Sequence, residues 1–159
     1  MHQVGSLCVI LYRLSSLSRR TSEQAFSGEG ALHGAGRWNS EGTRLVYASA
    51  SVALACLETL VHMRKLQHSH ERWLFTIKIP DGLVDKLGQL PKKWDAEPAS
   101  AATQQAGDQW IATQRSVALL VPSAIVPVEM NALINPRHPQ FRLEWIAKPV
   151  RFRYDPRLK

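Results

Sequence analysis

Cysteine is scarce in this 159-residue sequence: Cys8 and Cys56 are its two cysteines, and they are far from any C-x-x-C spacing. A disulfide framework and a cysteine-based metal or redox centre are thereby excluded. Cys56 stands in an apolar helical run and reads as a reduced core thiol. Long hydrophobic runs are lacking as well. The longest uncharged stretches, 45–57 and 116–128, stop at Glu58 in one case and carry Pro122 and Pro127 in the other. Neither can span a bilayer. No basic segment followed by an apolar one opens the chain, so a secretory signal is not expected, and the reading is of a soluble, cytoplasmic protein. Internal repeats and low-complexity linkers are absent.

Negative charge is in short supply: 13 Asp and Glu face 20 Lys and Arg, a net charge of +7. That surplus points to an anionic partner, whether nucleic acid, a phosphorylated small molecule or an acidic protein, without choosing among them. With 45% apolar and 21% charged residues, whole-chain disorder is excluded. The length suits one domain, 1–159.

Strand signals, rich in β-branched and aromatic residues, occur at 9–14, 45–48, 73–79, 117–121, 132–134 and 151–154. Apolar residues at three- and four-residue spacing (Ala53, Leu54, Leu57, Leu60, Val61) predict a helix over 51–66, capped by Ser49 or Ser51, with Arg64 and Lys65 complementing its C-terminal dipole. A second helix is expected over 100–113, with Gly107 as its weak point. Many short strands with two substantial helices, and no regular β-α-β alternation, indicate an α+β fold with a mixed central sheet and flanking helices.

Glu58 is the only residue charged at neutral pH between Arg44 and Arg64. A lone carboxylate in so apolar a helix sits either on an exposed stripe with His62 and Lys65, adding a few tenths of a kcal/mol, or in a cleft, where Ala55 and Thr59 leave room for a ligand. Between Ser27 and Gly42 five glycines accumulate, and within that stretch GAGRWN (34–39) offers backbone amides and the Arg37 guanidinium to phosphate oxygens. The motif is neither a P-loop nor a G-x-G-x-x-G turn; the alternative is a surface loop in which Trp38 packs. Tyr47 can stack on a flat heterocycle or simply fill the core. Ser123 ends an apolar strand without a nucleophile elbow around it. The histidines form no convincing metal site: His68, His70 and Glu71 read as solvated surface. Residues 142–159 carry six basic side chains against Glu144 and Asp155, either an anionic-partner patch or a charged edge strand and tail.

Taken together, LYR (11–13), GAGRWN (34–39), LVYAS (45–49), ALACLE (53–58), GDQW (107–110), VPS (121–123) and NPRHP (135–139) resemble, in order, the motifs of the RES-domain proteins, toxins of bacterial toxin–antitoxin pairs. The likeness covers nearly the whole chain, fading over 86–106 and 62–72. It implies a fold like that of ADP-ribosyltransferases and an activity that degrades NAD by hydrolysis or phosphorolysis of the nicotinamide–ribose bond. Carried over by position, it implies Arg37, Tyr47, Glu58 and Ser123 as catalytic residues, with Tyr12, Arg13, Trp38 and Asn39 also binding substrate. Arg37 and Arg13 would hold the pyrophosphate, Tyr47 would pack on the nicotinamide or its ribose, and Ser123 would hydrogen-bond the substrate. No metal or separate cofactor is implied, since NAD is itself the substrate. The implied partner is a DNA-binding, Xre-type antitoxin in a hetero-oligomer, with no membrane contact and no nucleic acid touched except through the antitoxin. Two other readings remain: ADP-ribosyl transfer to a protein, and a non-enzymatic module binding nucleic acid or a partner.

Overall fold

A computed structural model describes residues 7–63 and 70–158. Its centre is one seven-stranded sheet, built from β1 (Cys8–Ser15), β2 (Val46–Ser49), β3 (Glu71–Pro80), β4 (Val84–Lys86), β5 (Ala118–Pro122), β6 (Met130–Ile134) and β7 (Val150–Arg153). The spatial order is β4-β5-β6-β2-β1-β3-β7. Every pairing is antiparallel except β4 with β5, so the sheet is mixed. Two one-turn helices, α1 (Ser22–Ala25) and α2 (Glu29–Leu32), and two longer ones, α3 (Val52–His62) and α4 (Ala101–Thr113), complete an α+β architecture.

Successive residues of the central strands alternate between two apolar clusters, as the strand period of two requires. Ala118, Ala132, Ile134, Val46 and Ala48 join Leu11, Phe75, Ile77 and Ile79 on one face. Leu119, Val121 and Leu133 meet Trp38, Leu45 and Trp110 on the other, with Tyr47 packed against them. The registers Val121↔Asn131, Asn131↔Ser49 and Ser49↔Tyr12 place those four residues in one row across β5, β6, β2 and β1, on the face with Tyr47.

Helix α3 lies on β1 and β2. Ser51 is its cap: the hydroxyl accepts from Leu54 N–H at 3.0 Å and donates to Glu129 Oε2 at 3.0 Å, fixing the helix start against the segment that leads into β6. The helix stops at His62, short of the expected 66, because Met63 turns extended. Arg64, Lys65 and His68 lie outside the described residues. Its outward face is apolar, with Leu57 40% and Val61 64% exposed, while Leu54 and Ala55 are buried. Of the expected apolar stripe, Leu54 is buried, Leu60 half-buried, and Ala53, Leu57 and Val61 exposed.

α4 follows its expected limits, capped by Ser100. Gly107 is not a weak point but a contact: a Cβ there would stand 1.7 Å from the Trp38 carbonyl oxygen. In the 27–42 stretch, Gly28 and Gly42 have φ of +73° and +91°, conformations that glycine alone adopts at little cost. The short α2 and β4 were not expected from the sequence. Among the described residues, no helix is long and apolar enough to cross a membrane.

Candidate active site

A cavity of about 750 Å³ opens between α3, the 34–39 loop and the 95–99 segment. Tyr12, Arg13, Arg37, Tyr47 and Glu58 all line it, so five residues spread over 46 positions converge on one space. That volume is ordinary for a pocket that encloses a small organic ligand.

Glu58 points from α3 towards the sheet, in a cavity that His62, one turn on, also lines. Its Oε1 accepts two hydrogen bonds, from Ser123 Oγ at 2.8 Å and from Asn131 Nδ2. Its Oε2 makes no hydrogen bond to a described residue. Ser123 is fully buried, and its hydroxyl accepts from the N–H groups of Ile125 and Val126, each at 3.0 Å. With both lone pairs engaged, its proton is directed at the carboxylate. The Ser123 side chain is thus spent on holding Glu58, and direct hydrogen bonding to a ligand does not fit its surroundings. Asn131 is oriented in turn by Ser49, whose Oγ donates to Asn131 Oδ1 at 2.8 Å. Sequence reasoning missed Asn131 and Ser49.

Arg13 is clamped by two backbone carbonyls: Nε donates to Ala25 O at 2.9 Å and Nη1 to Tyr47 O at 2.8 Å. Burial, with a smaller contribution from the nearby Arg19 charge, pushes its pKa down to about 10, so it stays charged at neutral pH. Among the described residues no carboxylate forms an ion pair with it. A fixed cation without a counterion, facing a cavity, is a site for an anion.

Arg37 is engaged differently. Nη1 donates to Trp94 O at 2.9 Å and Ala96 O at 2.7 Å, and Nη2 pairs with Glu97 Oε2 at 3.1 Å. The guanidinium therefore ties the 94–97 segment to the cavity wall, and its one carboxylate partner is a side chain 85% exposed.

The glycine loop is held from within. Tyr47 Oη donates to Asn39 Oδ1 at 2.7 Å and accepts from Trp38 N–H at 3.1 Å. Burial raises the Tyr47 pKa far above its usual value, which keeps the phenol a donor. Asn39 Nδ2 reaches the carbonyls of Ala31, Gly34 and Ser40. Gly36 must lack a side chain because a Cβ would come within 2.6 Å of Asn39 Oδ1 and 2.7 Å of Tyr47 Oη. Asn39 is fully buried and Trp38 2% exposed. Both had been expected to bind ligand; Trp38 does line the cavity while packing against Leu119, Val121 and Leu133, whereas the Asn39 side chain is turned to the carbonyls of its own loop. Gln104 Nε2 braces the same loop through Gly36 O at 3.1 Å.

Asp108 of α4 fastens the loop through Ser40 N–H at 3.0 Å. Burial raises its pKa, but donors from Ser40 and Thr43 outweigh that and leave it below the ordinary 3.8. A depressed carboxylate pKa adds stability that is present above the unfolded value and lost as pH falls through the folded one. Asp108→Asn should therefore narrow the loss of thermal stability below about pH 4 relative to wild type, measured by Tm against pH.

The basic C-terminal stretch is largely engaged locally. Arg151 pairs with Glu71 at 3.0 Å and lies 4.6 Å over the Trp73 ring, and Arg157 pairs with Asp155 at 2.9 Å. Among the described residues no group of three or more His, Cys, Asp or Glu is arranged to hold a metal ion.

The RES domain model matches residues 10–155. The chain belongs to the RES-domain family of toxins. A Sphingobium protein named "Prs ADP-ribosylating toxin" is 42% identical over 152 residues, covering 92% of this chain and 94% of the relative. A Yersinia enterocolitica protein named "Toxin Res" is 40% identical over 154 residues, covering 95% and 100%. Among solved structures, the Mycobacterium tuberculosis MbcT–MbcA toxin–antitoxin complex contains a chain with a TM-score of 0.71 at 19% identity, covering 93% of this chain and 86% of that one. That match establishes a shared fold.

Proposed function

We propose that this RES-family chain is the enzymatic toxin of a bacterial toxin–antitoxin pair, cleaving the bond between nicotinamide and ribose in NAD. The observation that carries this reading is Glu58: one carboxylate oxygen is saturated by Ser123 and Asn131, the other has no hydrogen bond to a described residue, and the residue lines a cavity that also contains an anion-ready arginine. In NAD the nicotinamide nitrogen is cationic. When the N-glycosidic bond breaks, its electron pair stays on that nitrogen, neutral nicotinamide leaves, and positive charge moves to the ribose C1′. A carboxylate oxygen beside C1′ attracts the departing state more than the ground state and so lowers the barrier. An acceptor oxygen then bonds to C1′ and sheds its proton.

Arg13 supplies the fixed charge for the pyrophosphate and the Tyr47 ring forms the wall beside the ribose. Arg37 has first to exchange Glu97 for a substrate phosphate. That exchange predicts a measurable effect: Glu97→Gln should lower the KM for NAD about threefold, as expected for an exposed ion pair, with kcat unchanged. The difference should shrink with added salt.

A second reading has the ADP-ribosyl unit delivered to a protein side chain, and the name of the Sphingobium relative favours it. The cation-forming step is common to both. Incubating purified, antitoxin-free protein with NAD, with and without phosphate and with cell extract, separates the acceptors: ADP-ribose, its 1″-phosphate, or labelled protein. Intact NAD under all three conditions contradicts the proposal.

The proposed partner is an Xre-type antitoxin that covers the cavity mouth or traps the toxin in an assembly substrate cannot enter. The toxin–antitoxin neighbour supports a partner of this kind. Nucleic acid is then contacted only through that partner, and the proposed location is the cytoplasm.

A further inference from the structure

The row of residues that crosses the sheet beneath α3 contains two polar side chains in contact with each other, Ser49 on β2 and Asn131 on β6. Their neighbours in the row and the next one are Val121, Tyr12, Leu133 and Tyr47. Polar side chains in such a place require partners, and these two form a directed chain: Ser49 Oγ–H donates to Asn131 Oδ1, and Asn131 Nδ2–H donates to Glu58 Oε1. Ser49 is 3% exposed.

An Asn side chain can present either its oxygen or its NH₂ group to a neighbour, and the two orientations have opposite consequences for a carboxylate. The Glu58 carboxylate, which can only accept, draws the NH₂ to itself, and the Ser49 hydroxyl donates to the amide oxygen on the other side. That second hydrogen bond holds the amide in place with its NH₂ towards Glu58. Ser123 already donates to the same carboxylate oxygen, so Asn131 completes the hydrogen bonding of Oε1, while Oε2 has no hydrogen bond to a described residue. We propose that Ser49 and Asn131 are a positioning pair: Ser49 holds the Asn131 amide in place, and the amide, with Ser123, fixes the direction in which the Glu58 carboxylate meets the substrate. This deepens the NAD-cleavage reading and rests on it.

A positioning role has a signature that a merely structural one lacks. Asn131 lines the cavity, but its amide is engaged on one side by Glu58 and on the other by Ser49, so its loss should appear in kcat and not in KM. Ser49 acts through Asn131, so its loss should cost nothing further once the amide is gone. The experiment measures initial rates of nicotinamide release from NAD by the purified full chain as wild type, Asn131→Asp, Asn131→Ala, Ser49→Ala and the Ser49→Ala/Asn131→Ala double variant, each checked for folding by circular dichroism and Tm. Asn131→Asp keeps the shape but replaces the donor by a second carboxylate, and kcat should fall about ten- to a hundredfold, the scale seen when an outer partner of a functional group is removed, with KM within about twofold of wild type. Ser49→Ala should lower kcat about fivefold and have no additional effect on top of Asn131→Ala.

Wild-type kcat in Asn131→Asp overturns the inference. So does a rise in KM with kcat preserved, which would put Asn131 in contact with substrate, or a full Ser49→Ala penalty in the Asn131→Ala background. If the Asn131 variants do not fold, Ser49→Ala alone decides: lower kcat at constant KM supports the pair, and an unchanged kcat refutes it. Wild-type protein that leaves NAD intact is a different outcome, overturning the functional reading and this inference with it.

Discussion

Glu58→Gln should lower nicotinamide release by about a thousandfold or more, equivalent to about 4 kcal/mol of transition-state stabilisation, while leaving the fold intact. The substitution is nearly isosteric and removes one charge. Ser123 O–H and Asn131 N–H can still donate to an amide oxygen in the Oε1 position, so the surrounding packing has no reason to change. What disappears is the negative charge of a residue that lines the cavity. A neutral amide can still solvate a sugar cation, but far more weakly within a pocket where water is partly excluded. The measurement is kcat/KM for NAD, with Tm compared by differential scanning fluorimetry. Activity within about tenfold of wild type would remove the carboxylate from the mechanism.

The second large effect is on stability. Gly107→Ala should lower the stability by about 3 kcal/mol or more, which for a chain of this length is a fall of about 10 °C in Tm. Two opposing contributions decide the sign. Replacing glycine by alanine within a helix favours the helix by about 1 kcal/mol. Against that, the new methyl carbon would sit 1.7 Å from the Trp38 carbonyl oxygen and 2.8 Å from its carbonyl carbon. These are backbone atoms of the loop that Tyr47, Asn39, Gln104 and Asp108 all hold in place. They cannot swing aside as a flexible side chain could, so α4 must move away from the loop. Since that loop carries Arg37, activity should fall along with stability. Thermal melts and NAD consumption measured on the same preparation test both; a Tm equal to or above wild type would show that the helix–loop contact is looser than described.

The fold class was legible because it rests on counting: several short β-rich runs and two capped helices cannot make a doubly wound sheet. The three-residue β4 and the four-residue α2 escaped because elements so short carry no periodicity. Glu58 stood out as the sole charge of its segment, but its direction did not. α3 buries Leu54 and Ala55 but leaves Leu57 and Val61 exposed and turns its carboxylate towards the sheet, so the apolar periodicity did not show which face carries Glu58. Trp38 and Asn39 were both drawn to the ligand by their place in a glycine-rich motif, yet such loops also need internal braces, and the Asn39 side chain is one, while Trp38 lines the cavity. Asn131 was overlooked because the strand was taken to begin at 132, where a polar residue just before an apolar run reads as the end of a turn. Only the register with Ser49 shows it to be inside the sheet. The positive charge indicated an anionic partner but not where; Arg13 became distinctive only once its carbonyl clamps were visible and no carboxylate among the described residues paired with it.

The account stands or falls on the departure of nicotinamide, and one assay addresses it: incubate purified wild-type protein, free of any antitoxin, with NAD and follow free nicotinamide by chromatography over time. The account predicts catalytic release, many equivalents of nicotinamide per protein molecule, with one ADP-ribosyl product formed for each nicotinamide freed. A folded protein that leaves the NAD pool intact and releases no nicotinamide would contradict it.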